Sequence, residues 1–146
     1  MISRSEWSST DPNPDGFTAH AQTGHAIRLD ASREHLEGPT PMEVVLMALC
    51  SCTSVDVVSI LRKKRQPLAS LTVSAVAEQA PAPPRVFTKI QLTYTVRGED
   101  GAQLSRKAVE DAVGLSKTKY CSVSLMLEKA AEIGYDIDFN GVEPLP

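Results

Sequence analysis

Three cysteines are the side chains here whose type and spacing suit redox chemistry. Cys50 and Cys52 lie in MALCSCTSVDVVSILRKK (residues 47–64), and Cys121 lies in KTKYCSVSLML (residues 117–127). A thiolate attacks peroxides and disulfides, and a sulfenic acid formed at one cysteine condenses with a nearby thiol. Free cysteine is also a common small apolar core residue, so on the residues alone both roles stand. If 47–64 is helical, Cys50 and Cys52 point about 200° apart. They cannot bridge each other, they form no C-x-x-C pair, and only one of them can share a pocket with Cys121. Cys121 just precedes a helical pattern over 122–133, with Ser122 as its cap. Free backbone N–H groups there, and Lys117 or Lys119 nearby, favour a thiolate, so Cys121 is expected to have a lower pKa than Cys50.

Other chemistries find little support. His20, His25 and His35 come before the first cysteine and match no metal-ligand spacing, so no metal or other cofactor is expected. There is no nucleophile elbow, phosphate loop or Ser-His-Asp order. No acid–base histidine accompanies either cysteine motif, which disfavours hydrolysis with Cys52 as nucleophile.

The elements that must position the thiols follow from local signals. GFTAHAQTGHAIRLD (16–30) reads as two strands about a turn in which Gly24 supplies positive φ. Thr40, Pro41 and Glu43 mark the start of a helix running from Met42 to about Lys64. It is apolar almost all round, which predicts burial on most sides. Its basic end, residues 62–65, complements the helix dipole. LTVSAVAE (71–78) alternates like a strand, and APAPPR (80–85) is a stiff loop. VFTKIQLTYTVRG (86–98) is a strand with Val86, Ile90, Leu92, Tyr94 and Val96 on one face. Phe87, Lys89, Gln91, Thr93 and Thr95 take the other. Helices are expected over 105–116 and 122–133, the latter closed by Gly134, with a last strand at 135–140. This order predicts an α+β fold with antiparallel sheets.

With 146 residues, 42% hydrophobic and 23% charged, the chain is read as a single domain, 1–146, with residues 1–15 a flexible lead-in. A formal net charge of −3 gives no basic footprint for nucleic acid. No apolar stretch of signal-peptide type opens the chain, and no run of about 18 apolar residues stands out as a membrane span. A cytoplasmic protein is therefore expected, where an odd number of cysteines argues against a structural disulfide framework.

GPTPMEVVLMALCSCTSVDVVSILRKKRQ and AVGLSKTKYCSVSLMLEKAAEI resemble the two signature regions of the OsmC/Ohr superfamily of osmotically induced and organic hydroperoxide resistance proteins. PRVFTKIQLTYTVRG fits as well, closest to the YhfA-like branch, and the resemblance spans roughly residues 16–140. It implies an OsmC-like fold, with antiparallel sheets around two central helices, in an intertwined homodimer with sites at the subunit interface. It also implies that Cys52 attacks a small organic hydroperoxide and Cys121 resolves the sulfenic acid, with a dithiol as reductant. Cys50 falls at a packing position. The peroxidases carry a glutamate directly after the motif proline and an N-terminal arginine at the thiolate. Here Met42 follows Pro41, Glu43 comes one residue later, and no arginine lies between Arg4 and Arg28. Glu43 remains a candidate catalytic group. The alternative function is a dimeric, non-enzymatic protein that binds a small apolar ligand at the subunit interface.

Overall fold

The computed structural model describes residues 1–139. The chain forms two compact units, Met1–Met47 and Ala48–Pro146. In the first, β1 (Ser3–Glu6), β2 (Gly16–Ala21) and β3 (Ala26–Asp30) form an antiparallel sheet in the order β1-β2-β3. Gly24, with φ of 86°, makes the β2–β3 turn, as its lack of a Cβ allows. Residues 1–15, read from the sequence as a flexible lead-in, supply β1, which pairs with β2 from Ser3↔Ala21 to Glu6↔Thr18. They also supply Asp11, whose carboxylate accepts two hydrogen bonds from Arg28 at 2.8 Å.

Helix α1 (Pro41–Lys63) begins where the local signals place it. The Thr40 hydroxyl accepts the Glu43 N–H at 3.2 Å, and the Glu43 carboxylate accepts the Thr40 N–H at 2.7 Å. That reciprocal pair is a capping box, satisfying two backbone donors that the helix itself cannot. Only Leu49, Thr53, Val57 and Leu61, four residues apart, are buried in the chain. Burial on most sides is therefore not achieved within one chain. Val55 is 70% exposed and Met47 48%. The expectation that no segment matches a membrane span also needs correcting. By length and composition α1 is long and apolar enough, with a mean hydropathy of 2.2 over 18 residues. The same composition arises where a soluble helix is covered on several sides.

The second unit holds β4 (Leu68–Gln79), β5 (Phe87–Gly98) and β6 (Glu132–Asp138), in the order β4-β5-β6. The β4–β5 pair is antiparallel, but β5–β6 is parallel, which corrects the expectation of purely antiparallel sheets. A parallel pair needs a long crossover, and the chain between β5 and β6 provides it. That crossover contains α2 (Arg106–Leu115), a π-helical turn (Ser116–Tyr120) and α3 (Ser122–Leu127).

The inward face of β5 is Ile90, Leu92, Tyr94 and Val96, all buried. Its start departs from simple alternation. Glu78 pairs with Lys89 but Gln79 with Phe87, so Thr88 is the extra residue of a bulge. The bulge reverses the phase, burying Phe87 (7% exposed) and leaving Val86 out (47%). The expected helix 122–133 is also shorter. It stops at Leu127, and β6 has begun by Glu132. Gly134 lies within that strand opposite Gln91, where a Cβ would collide with the Gln91 side chain. Of the expected last strand 135–140, Asn140 lies outside the described residues.

Candidate functional site

Cys52 stands mid-way along α1, half-buried and directly before Thr53 of the buried stripe. Cys121 arrives from the crossover. Helix α2 runs into the π turn, and the Cys121 N–H donates to the Ser116 carbonyl five residues back, at 2.8 Å. Single π turns inside helical segments are rare and often occur at functional sites. This one draws Cys121 fully inside, with 0% exposure. There the Cys52 thiol is near enough to act on its ionisation. Cys121 itself, rather than Ser122, is the N-cap of α3, its sulfur accepting the Ser124 N–H at 3.3 Å. Cys50 is half-buried, and burial raises its thiol pKa. Among the described residues no cluster of three or more His, Cys, Asp or Glu side chains is arranged to hold a metal ion.

The expected low pKa of Cys121 is not what the structure gives. Its thiol is pushed up to about 11, first by burial, with Cys52 and Asp56 adding to the rise because both are anionic when ionised. The Ser124 N–H works in the other direction and is outweighed. Helix α3 is only six residues long, and neither lysine is spent on the sulfur. Lys117 donates to the Ile133 carbonyl at 2.6 Å and lies 5.5 Å from the Tyr135 ring centre. Lys119 lies 5.3 Å from the ring centre of Tyr120.

Beside the thiols runs a buried chain of hydroxyl groups. Tyr94 OH meets Thr53 Oγ1 at 2.7 Å, Thr53 Oγ1 meets Ser116 Oγ at 2.9 Å, and Ser116 Oγ donates to Asp56 Oδ2 at 2.9 Å. Each hydroxyl has one proton, and an ionised carboxylate only accepts. Ser116 spends its proton on Asp56, so Thr53 must donate to Ser116 and Tyr94 to Thr53. The direction is thus set from the carboxylate end. Burial holds the Tyr94 pKa up at about 12, and ionisation would also remove the first donor of the chain. Through this chain α1, β5 and the π turn are tied together around the two sulfurs. Sequence reasoning missed Thr53, Asp56, Tyr94, Ser116 and Ser124 as members of the site. The one available signal was a threonine at 53 in line with Leu49, Val57 and Leu61.

Glu43 is not part of this cluster within the chain. It stands nine residues before Cys52 on the same helix, about 13.5 Å along its axis. Its carboxylate, exposed, is held below the usual range by the hydrogen bonds from Thr40. Arg28 is likewise committed, to Asp11 at 2.8 Å and to Glu37 at 2.6 Å.

Comparison with known proteins agrees with the resemblance of the two cysteine motifs. The family profile described as OsmC-like protein matches residues 33–136. The chain is 43% identical to Protein YhfA of Escherichia coli (strain K12) over 122 residues, covering 84% of this chain and 88% of that one. A structure solved by structural genomics superposes with a TM-score of 0.81 at 40% identity, covering 94% and 97% of the two chains. The organic hydroperoxide resistance protein OsmC from Legionella pneumophila superposes with a TM-score of 0.68, covering 94% and 95%. At 12% identity that likeness speaks for the fold alone. Both cysteine motifs fall inside the matched span, and the chain belongs to the OsmC-like protein family.

Proposed function

We propose that this protein is a thiol-dependent peroxidase acting on small organic hydroperoxides. The observation that supports the reading is that the Cys52 thiol is near enough to the sealed Cys121 to act on its ionisation. In the first step the Cys52 thiolate attacks the outer peroxide oxygen. The O–O bond breaks, an alcohol leaves with a proton, and Cys52 becomes a sulfenic acid. In the second, the Cys121 sulfur attacks the Cys52 sulfur, the S–O bond breaks and water leaves. A dithiol then reduces the disulfide by exchange. The half-buried position of Cys52 and the full burial of Cys121 support these roles, since the attacking thiol must meet substrate and the resolving thiol need not. The working form in this reading is a cytoplasmic homodimer that needs neither nucleic acid nor membrane.

A second reading, a binding protein for a small apolar ligand, draws support from a groove lined by Ile60, Leu115 and Tyr120 beside Lys63 and Lys64. Thiol titration and mass spectrometry after one equivalent of tert-butyl hydroperoxide separate the two. Loss of two thiols per chain, with a Cys52–Cys121 bridge and free Cys50, is expected. A Cys50–Cys121 bridge overturns the site assignment. Inert thiols at every dose short of over-oxidation overturn the enzyme and favour the binding protein.

A further inference from the structure

The hydroxyl of Ser124 is buried and has no hydrogen-bond partner among the described residues. The residue is 2% exposed. A buried hydroxyl left unpaired costs stability, and alanine at that place would avoid the cost. Ser124 is no remote residue, because its own N–H donates to the Cys121 sulfur at 3.3 Å. It stands three places after the N-cap Cys121, the position whose side chain reaches back towards the cap in a capping box. The backbone donor that a side chain there would normally satisfy, the Cys121 N–H, is already taken by the Ser116 carbonyl. Another acceptor at that cap is the Cys121 sulfur, which already takes the Ser124 N–H.

We infer that Ser124 assists the resolving step, its hydroxyl a donor held in reserve for the Cys121 sulfur as that sulfur acquires negative charge. The inference rests on the peroxidase reading and adds to it a residue for the resolving step. In that step Cys121 gives up its proton and its sulfur bonds to the Cys52 sulfur. The S–O bond of the sulfenic acid breaks, and the departing hydroxide takes the proton and leaves as water. No further reactant is required. While the thiol is neutral, the Ser124 hydroxyl has nothing strong to bind. Once charge develops, rotation about the Ser124 Cα–Cβ bond brings a second donor beside the Ser124 N–H. Among the described residues, the charged groups that act on Cys121 include Cys52 and Asp56 on α1 and Tyr94 on β5, each an anion when ionised. None of these assists its ionisation, whereas the neutral Ser124 N–H does.

The test uses Ser124→Ala and Ser124→Thr in the full chain, with tert-butyl hydroperoxide as the probe. Two quantities are read: the rate of Cys52–Cys121 disulfide formation by quenched mass spectrometry, and the thermal melting midpoint. Ser124→Ala is expected to melt at the same or a higher temperature. It should form the disulfide roughly tenfold or more slowly and show more over-oxidised Cys52, in line with loss of a hydrogen bond to a charged group. Ser124→Thr, which keeps the hydroxyl, should recover the rate. An unchanged rate in Ser124→Ala overturns the inference, and so does a slower rate accompanied by a matching loss of stability. Wild-type protein that forms no Cys52–Cys121 bridge overturns the peroxidase reading itself, a result read before either variant is used.

Discussion

Ser116 holds Cys121 by its backbone and Thr53 by its side chain: its carbonyl accepts the Cys121 N–H at 2.8 Å, and its hydroxyl lies 2.9 Å from Thr53 Oγ1. Thr53 is the residue after Cys52, so one serine sets the reach between the two thiol-bearing segments. The arrangement depends on the π turn, because an α-helical turn would place the bond one residue earlier and rotate Cys121 by about 100°.

The hydroxyl chain should be costly to break at its centre. Thr53→Val leaves Tyr94 without an acceptor and Ser116 without a donor, both buried. A loss of about 2–3 kcal/mol is expected from urea unfolding. Thr53→Ser should restore most of it. Slower disulfide formation in Thr53→Val, rescued by serine, would mark the chain as positioning the thiols.

Alkaline pH should loosen the same region. Tyr94 has a folded pKa of about 12 against an ordinary value of 10.0. Between those values the folded state keeps a proton that the unfolded chain has lost, so stability falls as pH rises through the window. Below pH 10 the contribution is fully present. The size for Tyr94 is on the order of 2 kcal/mol. Cys121, raised from 9.0 to about 11, adds a loss of the same sign starting about one pH unit lower. Unfolding curves at pH 8 to 12 should show this slope, and Tyr94→Phe should flatten its upper part. An equal slope in the variant would show that Tyr94 is not its source.

Glu43 can be separated into cap and catalyst. Thr40→Ala should cost about 1 kcal/mol through loss of the N-cap. Glu43→Gln keeps an acceptor for the Thr40 N–H, so stability and peroxide-driven disulfide formation should both stay near wild type. A tenfold slower reaction at unchanged stability would restore the carboxylate as a catalytic group.

The outward face of α1 should be covered by a second copy of the chain. Obligate interfaces of this apolar kind bury more than about 2,000 Å². Sedimentation equilibrium at micromolar concentration is expected to give a dimer for wild type and a shift towards monomer for Val55→Lys. A wild-type monomer would contradict the homodimer.

What the sequence determined by itself was local. Thr40, Pro41 and Glu43 announce a helix start because capping involves residues within three positions of one another. Gly24 marks the β2–β3 turn, and Ile90 to Val96 alternate as any half-buried strand does. The two cysteine motifs identify the family for the same reason, each being a continuous run. Tertiary structure decided whatever depends on a distant partner. The bulge at Thr88 exists only against β4, and Gly134 reads as a helix stop until Gln91 is placed opposite it. The segment 128–133 carries a helical pattern, yet β5 takes Glu132 and Ile133 into a parallel strand. The pKa of Cys121 turned the same way. Its place at a helix start was legible in the chain, but its complete burial beside Cys52 was not. Removing a thiolate from water costs more than one backbone N–H returns, and that removal is a property of the packed molecule.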